Sequence, residues 1–519
     1  MAGPNLRLSP SLLIACALAS TVSAACSLID DPAHCANRGG DAACQQLFGA
    51  AYQCSVCTRV ADGCTADGIT AECRAASPAD GSGSSTDASG SGSGGSEAGS
   101  STGMPVPDCE GSGMVAGCPA ELPFCVDGSC AGCADAGGDE ACAAASGSTP
   151  QCHPNTGACV ECYATPSPAC GEDAPFCTTE FTCGGCTSHD DCPDSACNLF
   201  RGTCMDDAIQ VWIDDENCDN GASGSASAPL CTIDAAINRI ATGDSGVIHA
   251  GAAGFGKLRL ESCSVRYVAV LGESSVTTIF NTSEVPGAST INVACGNELM
   301  LDNVRVRRNV DSAVECSNGG RIALTRARVD DGLRGVHADD CSIISRRSRY
   351  LELRGAALEA VNGAELDLEG DIIAATVSDD DPMTTDGGVV VDGASVAFRF
   401  ATLVDNVDDN VVCEGAYEVS AHSSIVINEV GGPSFACTDA AVDHSVIDST
   451  LTNGTENSAL TFDAGWFLNR PQHDYRLGGA GSALDGIGRW DPGDPRIDID
   501  RDPWPDVPGS ASYPGADQP

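Results

Sequence analysis

The chain has 519 residues, which is too long for one ordinary hydrophobic core, so we expect two or more domains. Its formal net charge of −47, from 73 acidic and 26 basic residues, argues against nucleic acid as a partner, because neutralising phosphates requires a basic surface. The 32 cysteines indicate an oxidising compartment and therefore export.

Residues 1–25 have the features of a signal peptide. Arg7 ends a short charged region, and the apolar stretch that follows is too short for a stable membrane span. Cleavage after Val22-Ser23-Ala24 would suit ordinary signal peptidase and release a secreted protein. Ser23-Ala24-Ala25-Cys26 is similar to a bacterial lipobox, although Ser23 stands where Leu is usual.

Cysteine parity favours the lipobox ending at Cys26. If Cys26 carries the lipid and Cys16 is removed with the signal peptide, 30 of the 32 cysteines remain and all can pair. Plain cleavage, or lipidation at Cys16 in a second lipobox-like string, leaves an odd cysteine. We therefore predict lipidation at Cys26, and a membrane contact through that lipid alone.

The next predicted segments are a small Cys-rich module at residues 26–78 and a Gly/Ser-rich linker at residues 79–108. Six cysteines in the module indicate a disulfide framework, and the linker has too little apolar surface to fold.

Residues 109–206 contain Cys-rich repeats with the unit C-x4–6-C-x2-C-x5–8-C, which we interpret as a disulfide-bonded spacer. Full units start at Cys125, Cys152 and Cys177, while Cys109 and Cys118 fit the tail of an earlier unit. The C-x2-C spacing also suits zinc, but export and an even cysteine count favour disulfides.

Residues 207–470 are predicted to form an all-β domain, a right-handed parallel β-helix with 22–24 residues per coil. Apolar anchors recur at steps of 23, 22, 22, 30, 23 and 23 residues, which is the spacing of stacked coils. The anchors are Leu299, Ile322, Ile344, Leu366, Val396, Val419 and Val442. The step of 30 indicates an inserted loop at residues 378–386.

The coil spacing also predicts disulfides within this domain. Three cysteine pairs are each about one coil apart, and a fourth pair would close the loop before the first coil. The pairs are Cys263 with Cys295, Cys316 with Cys341, Cys413 with Cys437, and Cys218 with Cys231.

Both ends of this domain resemble a known class of proteins. A helix within residues 229–237, capped by Thr232, resembles the segment that opens pectin-lyase-like β-helix proteins. The closing segment, residues 471–519, contains Asp474-Tyr475-Arg476-Leu477 and later acidic motifs that resemble the C-terminal signature of bacterial surface β-helix proteins. It departs from that signature at Ala483 and Arg501, where Pro and Gly are favoured.

Together with the Cys-rich repeats, the whole chain resembles myxobacterial-type cysteine-rich surface lipoproteins with a pectin-lyase-like domain. The resemblance implies the fold and a place at the cell surface, as an outer-membrane lipoprotein or a secreted protein. It implies much less about activity.

A band of arginines at residues 305–354 is the first candidate site. Arg305 and Arg328 fall at equivalent positions on neighbouring coils, and rows of guanidinium groups suit the carboxylates or sulfates of an acidic polysaccharide or envelope glycan. The candidate ligand-binding residues are Arg305, Arg307, Arg326, Arg328, Arg347 and Arg349. Alternatively, the band pairs across coils with the nearby acidic residues Asp330, Asp331, Asp339, Asp340 and Glu352.

The inserted loop is the second candidate site. Asp379, Asp380, Asp381 and Asp386 offer the oxygen ligands that Ca²⁺ prefers, although an acidic loop can also simply be solvated. In polysaccharide lyases of this fold, Ca²⁺ acidifies the sugar and an arginine removes a proton. The resemblance would assign these roles to Asp379, Asp380 and Arg347.

A third candidate is the C-terminal run Asp498, Asp500 and Asp502, for which Ca²⁺ binding or a solvated terminus are the alternatives. Our leading prediction is an exported cell-surface protein with a structural or binding role, in which the flank of the β-helix recognises acidic glycans. The alternative is a Ca²⁺-dependent polysaccharide lyase of the pectate-lyase-like class.

Overall fold

The computed structural model divides into two compact units, residues 1–102 and residues 103–519. The structure describes residues 122–519 with gaps at 164–168, 172–173, 241–243, 265, 282–288, 308–310, 379–386, 430–432, 449–453 and 506. Before residue 122 it describes only residues 53–54, 64–65, 109, 113–114 and 118–119. The predicted signal peptide, Cys26 and the linker lie outside the described residues. Of the first module, one antiparallel pair is described, Gln53–Cys54 with Cys64–Thr65.

The second unit contains a right-handed parallel β-helix, as predicted. Most coils contribute one strand to each of three parallel sheets, which we name A, B and C in the order in which the chain visits them. Sheet A has 11 strands: Ile209–Ile213, Ser245–Ala250, Tyr267–Gly272, Glu298–Asp302, Arg321–Thr325, Ser342–Arg346, Glu365–Glu369, Ser395–Arg399, Glu418–His422, Ala441–Asp443 and Gly454–Thr455.

Sheet B has 10 strands: Gly254–Phe255, Ile279–Asn281, Arg305–Arg307, Arg328–Asp330, Arg349–Leu351, Ile372–Ala374, Thr402–Val404, Ile425–Ile427, Val446–Ile447 and Ser458–Ala459. Sheet C has eight strands: Leu258–Leu260, Ile291–Val293, Ser312–Ser317, Arg334–Asp339, Leu358–Val361, Val389–Asp392, Val411–Glu414 and Phe435–Ala436.

Two of the seven predicted anchors are wrong. Leu299 and Ile322 are in register, but the next residue in that row is Ile343 and not Ile344. Val442 lies beside Ala421 and not beside Val419. Ile344 instead points outward, and the steps on either side of Ile343 are 21 and 23 residues. The coils therefore vary in length slightly more than the sequence pattern suggested.

A short helix, Ile233–Arg239, lies at the start of the β-helix. The Thr232 side chain accepts a hydrogen bond from the Ala235 N–H at 3.2 Å, which confirms the predicted N-cap. The buried side chains of Ile233, Ala236 and Ile237 join the apolar interior of the first coils. In the described part of the chain, none of the helices has the length and apolar character needed to cross a bilayer.

The Cys-rich repeats are joined by disulfides that run from each unit to the next. The third and fourth cysteines of one unit bond to the first and second cysteines of the following unit. The pairs are Cys109–Cys125, Cys118–Cys130, Cys133–Cys152, Cys142–Cys159, Cys162–Cys177, Cys170–Cys183, Cys186–Cys197 and Cys192–Cys204. These bonds replace the hydrophobic core that such small units cannot build.

The regular structure of the repeats is correspondingly small. It consists of helices Cys133–Ala136 and Asp139–Ala145, a 3-10 turn at His189–Asp191, and short strands that pair antiparallel. The strands are Gly113–Met114, Phe124–Val126, Ser129–Ala131, Gln151–Cys152, Cys159–Val160, Phe176–Cys177, Cys183–Gly184, Cys197–Asn198 and Thr203–Cys204.

The four disulfides of the β-helix are the pairs that the coil spacing predicts. They are Cys218–Cys231, Cys263–Cys295, Cys316–Cys341 and Cys413–Cys437. Every cysteine from residue 109 onward is therefore paired, which accounts for 24 of the 32 cysteines in the chain.

The last unit of the Cys-rich repeats packs on the outer face of sheet A. Ala196 and Met205 share one buried apolar cluster with Met300 and Ala323, and Ile344 packs against its edge. Polar contacts reinforce this face: the Asn198 amide donates to Glu298 at 2.8 Å, and the Arg201 guanidinium lies 4.0 Å from the Tyr267 ring centroid.

The closing segment begins at Ala464 and covers the outer face of sheet B over its later coils. Trp466, Phe467, Tyr475 and Leu477 form a second buried cluster with outward residues of that sheet, which are Leu351, Ile372, Ala374, Val404, Ile425, Ile427 and Val446. Its elements are 3-10 turns Ala464–Trp466, Arg470–Gln472 and Gly479–Leu484, and the antiparallel pairs Phe467–Asn469 with Asp474–Leu477 and Gly488–Trp490 with Ser510–Ser512.

The expectation of a solvated C-terminus is wrong for Asp498, which is fully buried. Its carboxylate accepts hydrogen bonds from the backbone N–H groups of Asp500 and Asp502, at 2.9 and 2.8 Å. Asp500 instead forms a salt bridge with Arg476 at 2.7 Å. Asp498 therefore organises a tight turn of the closing segment.

Candidate functional site

A row of arginines lies on the early coils of sheet B, where the closing segment contacts only the last of them, Arg349. Arg305, Arg328 and Arg349 are aligned on three consecutive coils, as predicted for the first two. Val306, Val329 and Tyr350, the next residues along each strand, are fully buried. Alternation along a strand therefore directs the three guanidinium groups outward, with strands about 4.8 Å apart. We name Arg305, Arg307, Arg328 and Arg349 the basic face.

Two guanidinium groups of the basic face share one buried carboxylate. Arg305 Nε donates to Asp330 Oδ1 at 2.8 Å, and Arg328 Nε donates to Asp330 Oδ2 at 2.5 Å. The Asp330 side chain has no exposed area, whereas the side chains of Arg305 and Arg328 are 18% and 34% exposed. The groups that reach solvent here are therefore cationic, and the single carboxylate beneath them neutralises only one of the two charges.

The basic face ends at a network of charges from the closing segment. Arg349 Nη2 lies 3.6 Å from Asp500 Oδ1, and Asp500 and Asp474 both pair with Arg476. Burial lowers the pKa of Arg349, and Asp500 opposes this effect. Arg349 keeps 32% of its side chain exposed, so it can still reach a ligand beside Arg328.

Arg326 and Arg347 lie elsewhere, in the turn between sheets A and B. Both residues have positive φ angles, and the residues at this turn repeat that conformation on successive coils. Arg326 pairs with Asp302 and lies 3.4 Å from Asp190 of the Cys-rich repeats. Burial acts to lower the pKa of Arg326, but the hydrogen bonds to Asp302 outweigh it and the pKa is raised.

Arg347 is more enclosed than Arg326. Burial, with the neighbouring charge of Arg326, lowers its pKa, and its Nη1 atom has no hydrogen-bond partner among the described residues. The six predicted arginines thus divide into four on the basic face and two beneath the Cys-rich repeats.

The acidic residues suggested as partners of the arginine band do not all pair with arginines. Asp330 pairs with Arg305 and Arg328, and Asp331 lies 3.2 Å from Arg307. In contrast, Asp339 accepts a hydrogen bond from Asn362, and Glu352 lies 2.9 Å from His473. Each arginine of the basic face therefore has a carboxylate partner, and two of them, Arg305 and Arg328, share one.

The predicted calcium loop cannot be compared with these residues. Asp379, Asp380, Asp381 and Asp386 lie outside the described residues, so Ca²⁺ binding there remains a prediction. Arg347, the arginine that the lyase resemblance would assign to proton removal, sits in the covered turn and not on the basic face.

Two features were missed in the sequence. One is an open groove of about 470 Å³ on sheet A, beside Phe200, whose polar lining includes Arg321, Glu365, Asp367 and Glu418. The other is a histidine cluster at the end of sheet A, where His422 and His444 flank Asp443. The spacing could have revealed the cluster, because His422 and Asp443 are 21 residues apart and so lie on adjacent coils.

Comparison with known proteins finds one family model and several solved structures that are similar to parts of the chain. Residues 96–209 match a family of unknown function (DUF8331). No curated protein matches the chain. Pectate lyase Pel9A is similar with 12% identity and a TM-score of 0.40, over 58% of this chain and 97% of that one.

Two further solved structures are also similar to part of the chain. A rhamnogalacturonan lyase has 10% identity and a TM-score of 0.32, over 53% of this chain and 98% of that one. The GH136 lacto-N-biosidase from Eubacterium ramulus has 10% identity and a TM-score of 0.30, over 49% and 67%. At such low identities and TM-scores, the function has to be argued from the residues of this chain itself.

Proposed function

We propose that this is an exported envelope protein that binds acidic polysaccharide through the basic face. The observation that carries the proposal is the row Arg305, Arg328 and Arg349, in which two partly exposed guanidinium groups share one buried carboxylate. Planar guanidinium groups bind carboxylate and sulfate through paired, charge-assisted hydrogen bonds. A polymer with repeated anionic groups can contact several coils at once, which strengthens binding without any single strong contact.

The overall charge of the chain bears on how such binding depends on salt. A net charge of −47 repels an anionic polymer at long range. At about 0.15 M salt, charges farther apart than about 8 Å are largely screened, whereas contact pairs are affected less. We therefore expect binding to persist at physiological ionic strength and to fail near 1 M salt.

Export and surface anchoring are part of the same proposal. Complete disulfide pairing from residue 109 onward supports an oxidising compartment, because such bonds do not persist in a reducing cytosol. Eight cysteines lie before residue 109, namely the six of residues 27–78 together with Cys16 and Cys26. Loss of Cys16 with the signal peptide and lipidation of Cys26 would leave those six free to pair. The lipid would then hold the protein at the outer membrane, while plain cleavage would release it.

The test is retention of the purified full chain on immobilised polysaccharides. Polygalacturonate and a sulfated glucan provide anionic groups, and a neutral glucan of similar length is the control. We expect retention on the anionic polymers at 0.15 M salt, elution near 1 M salt, and no retention on the neutral one. Equal retention on all three, or on none, would contradict the proposal.

The same samples distinguish binding from cleavage. Each polymer is incubated with the protein and Ca²⁺, and separately with EDTA, and the absorbance of unsaturated product is followed. We expect no product under either condition. Product that depends on Ca²⁺ would identify the chain as a polysaccharide lyase instead.

A further inference from the structure

We infer that His422, Asp443 and His444 form a binding site for a transition-metal dication, with Zn²⁺ as the ion of choice. In the described part of the chain, this is the one group of histidine and carboxylate side chains whose three ligand atoms all lie within 4.8 Å of one another. The other groups of that compactness consist of cysteines that are already bonded in disulfides.

The distances from Asp443 to the two histidines match those between two ligands of a tetrahedral metal site. Asp443 Oδ2 lies 3.2 Å from His422 Nδ1 and 3.3 Å from His444 Nδ1. Two ligands that are each about 2.0–2.1 Å from Zn²⁺ and meet at a tetrahedral angle are about 3.3 Å apart. A zinc ion could therefore occupy the space between these three atoms with little movement of the side chains.

The second ring nitrogen of His422 is hydrogen-bonded as in many metal sites, whereas that of His444 lies near a carboxylate without forming a hydrogen bond. His422 Nε2 lies 3.3 Å from Asp494 Oδ2 and 3.0 Å from the backbone oxygen of Arg489. His444 Nε2 lies 2.9 Å from Glu456 Oε2. Histidine ligands usually face a carboxylate or a carbonyl with the ring nitrogen that does not hold the metal, and this contact orients the ring.

The architecture explains why these side chains meet. His422 ends one strand of sheet A, and Asp443 lies directly beside it on the next coil. His444 follows Asp443 in the turn where residues adopt positive φ. This backbone conformation turns the His444 ring back toward His422 and Asp443. Asp494 is buried and belongs to the closing segment, so a bound ion would connect two coils with the segment that covers them.

The ligand set also selects the class of metal. Two imidazoles and one carboxylate suit Zn²⁺ and neighbouring transition metals, whereas Ca²⁺ and Mg²⁺ prefer oxygen ligands alone. The Asp443 side chain is 41% exposed, so the fourth position faces solvent and would be filled by water. Three protein ligands with one open position differ from a closed structural site.

The test is zinc binding by the oxidised full chain, measured by calorimetric titration with ZnSO₄ and by metal content after dialysis. We expect one Zn²⁺ per chain and a higher thermal unfolding midpoint when it is bound. Co²⁺ in place of Zn²⁺ should give the visible absorption of a tetrahedral site. Absence of saturable binding to the unmodified protein would overturn the inference.

Substitutions at the proposed ligands test whether zinc binds at this cluster. Asp443→Asn, which preserves the shape of the side chain, and His444→Gln should each weaken zinc binding more than about 100-fold, since losing a ligand costs more than losing its supporting contact. Asp494→Asn should weaken it by about 10- to 100-fold, as a positioning residue does. His337→Gln is the matched control, because His337 faces Glu359 without a second histidine. Zinc affinity unchanged in Asp443→Asn would overturn the inference even if another variant fails to fold.

Discussion

Trp490→Ala is expected to destabilise the protein by about 3–5 kcal/mol, the usual cost of deleting a fully buried tryptophan. Trp490 is 1% exposed and belongs to a buried cluster with Phe181, Phe400 and Trp504. Its Nε1–H donates to the Pro495 carbonyl at 2.8 Å. This cluster joins the Cys-rich repeats, the turn between sheets A and B, and the closing segment, so the variant should loosen all three.

Denaturant unfolding gives the stability change, and limited proteolysis shows where it acts. In Trp490→Ala we expect faster cleavage of the Cys-rich repeats and the closing segment than of the β-helix core. Trp212→Ala is the matched control, because Trp212 is only partly buried and stacks on His249 at the first coil. An equal loss of stability in the two variants would show that Trp490 does not hold the Cys-rich repeats and the closing segment in place.

The second large effect is a loss of stability as pH rises. Burial raises the pKa of Asp498 to about 7 and that of Asp517 to about 8. Both side chains are buried in the closing segment. In the unfolded chain these carboxyls ionise near pH 4, whereas in the folded protein they keep their protons to pH 7–8. The stabilisation is therefore complete below about pH 4 and is lost as pH rises through the folded pKa values.

Between about pH 4 and their folded pKa values, Asp498 and Asp517 each lower the free energy of unfolding by about 1.4 kcal/mol per pH unit. We expect the thermal unfolding midpoint to fall steadily from pH 5 to pH 8. Asp517→Asn should flatten this dependence. Asp485→Asn makes the same charge change at an exposed position of the same segment and should leave the slope unchanged. A slope that Asp517→Asn does not alter would assign the effect to general repulsion among the acidic residues.

The β-helix could be predicted because its signals are local and repeated. Alternation of apolar residues and a period near one coil placed Arg305 beside Arg328 and predicted the four disulfide pairs of the β-helix. The same pattern misplaced Ile344, because Ile343 faces the interior while Ile344 packs beneath the Cys-rich repeats. Where both faces of a strand are covered, apolar residues no longer identify a single face.

The docking of the outer segments was harder to predict, although the strands contain a signal for it. Ile372-Ile373-Ala374 and Ile425-Val426-Ile427 are continuous apolar runs, which is typical of strands buried on both faces. Such runs predict that a cover exists, but not which segment provides it. The division of the predicted arginines depends on this cover: Arg326 and Arg347 face the Cys-rich repeats, while Arg328 remains exposed.

The most direct test of the account is the affinity of Arg328→Gln/Arg349→Gln for an acidic polysaccharide that the unmodified protein retains. This pair removes the two more exposed cations of the row and keeps the bidentate contact of Arg305 with Asp330, so the buried carboxylate stays paired. The control is Arg239→Gln/Arg259→Gln, which makes the same charge change on the helix that opens the β-helix and on sheet C.

Each lost charge-assisted hydrogen bond costs about 1.5–3 kcal/mol, so we expect the first double variant to bind at least about 100-fold more weakly. The control should bind within about twofold of the unmodified protein, since exposed surface charges of this kind contribute little. Equal binding by the two double variants would contradict the central claim that the row of arginines on sheet B is the polysaccharide-binding surface.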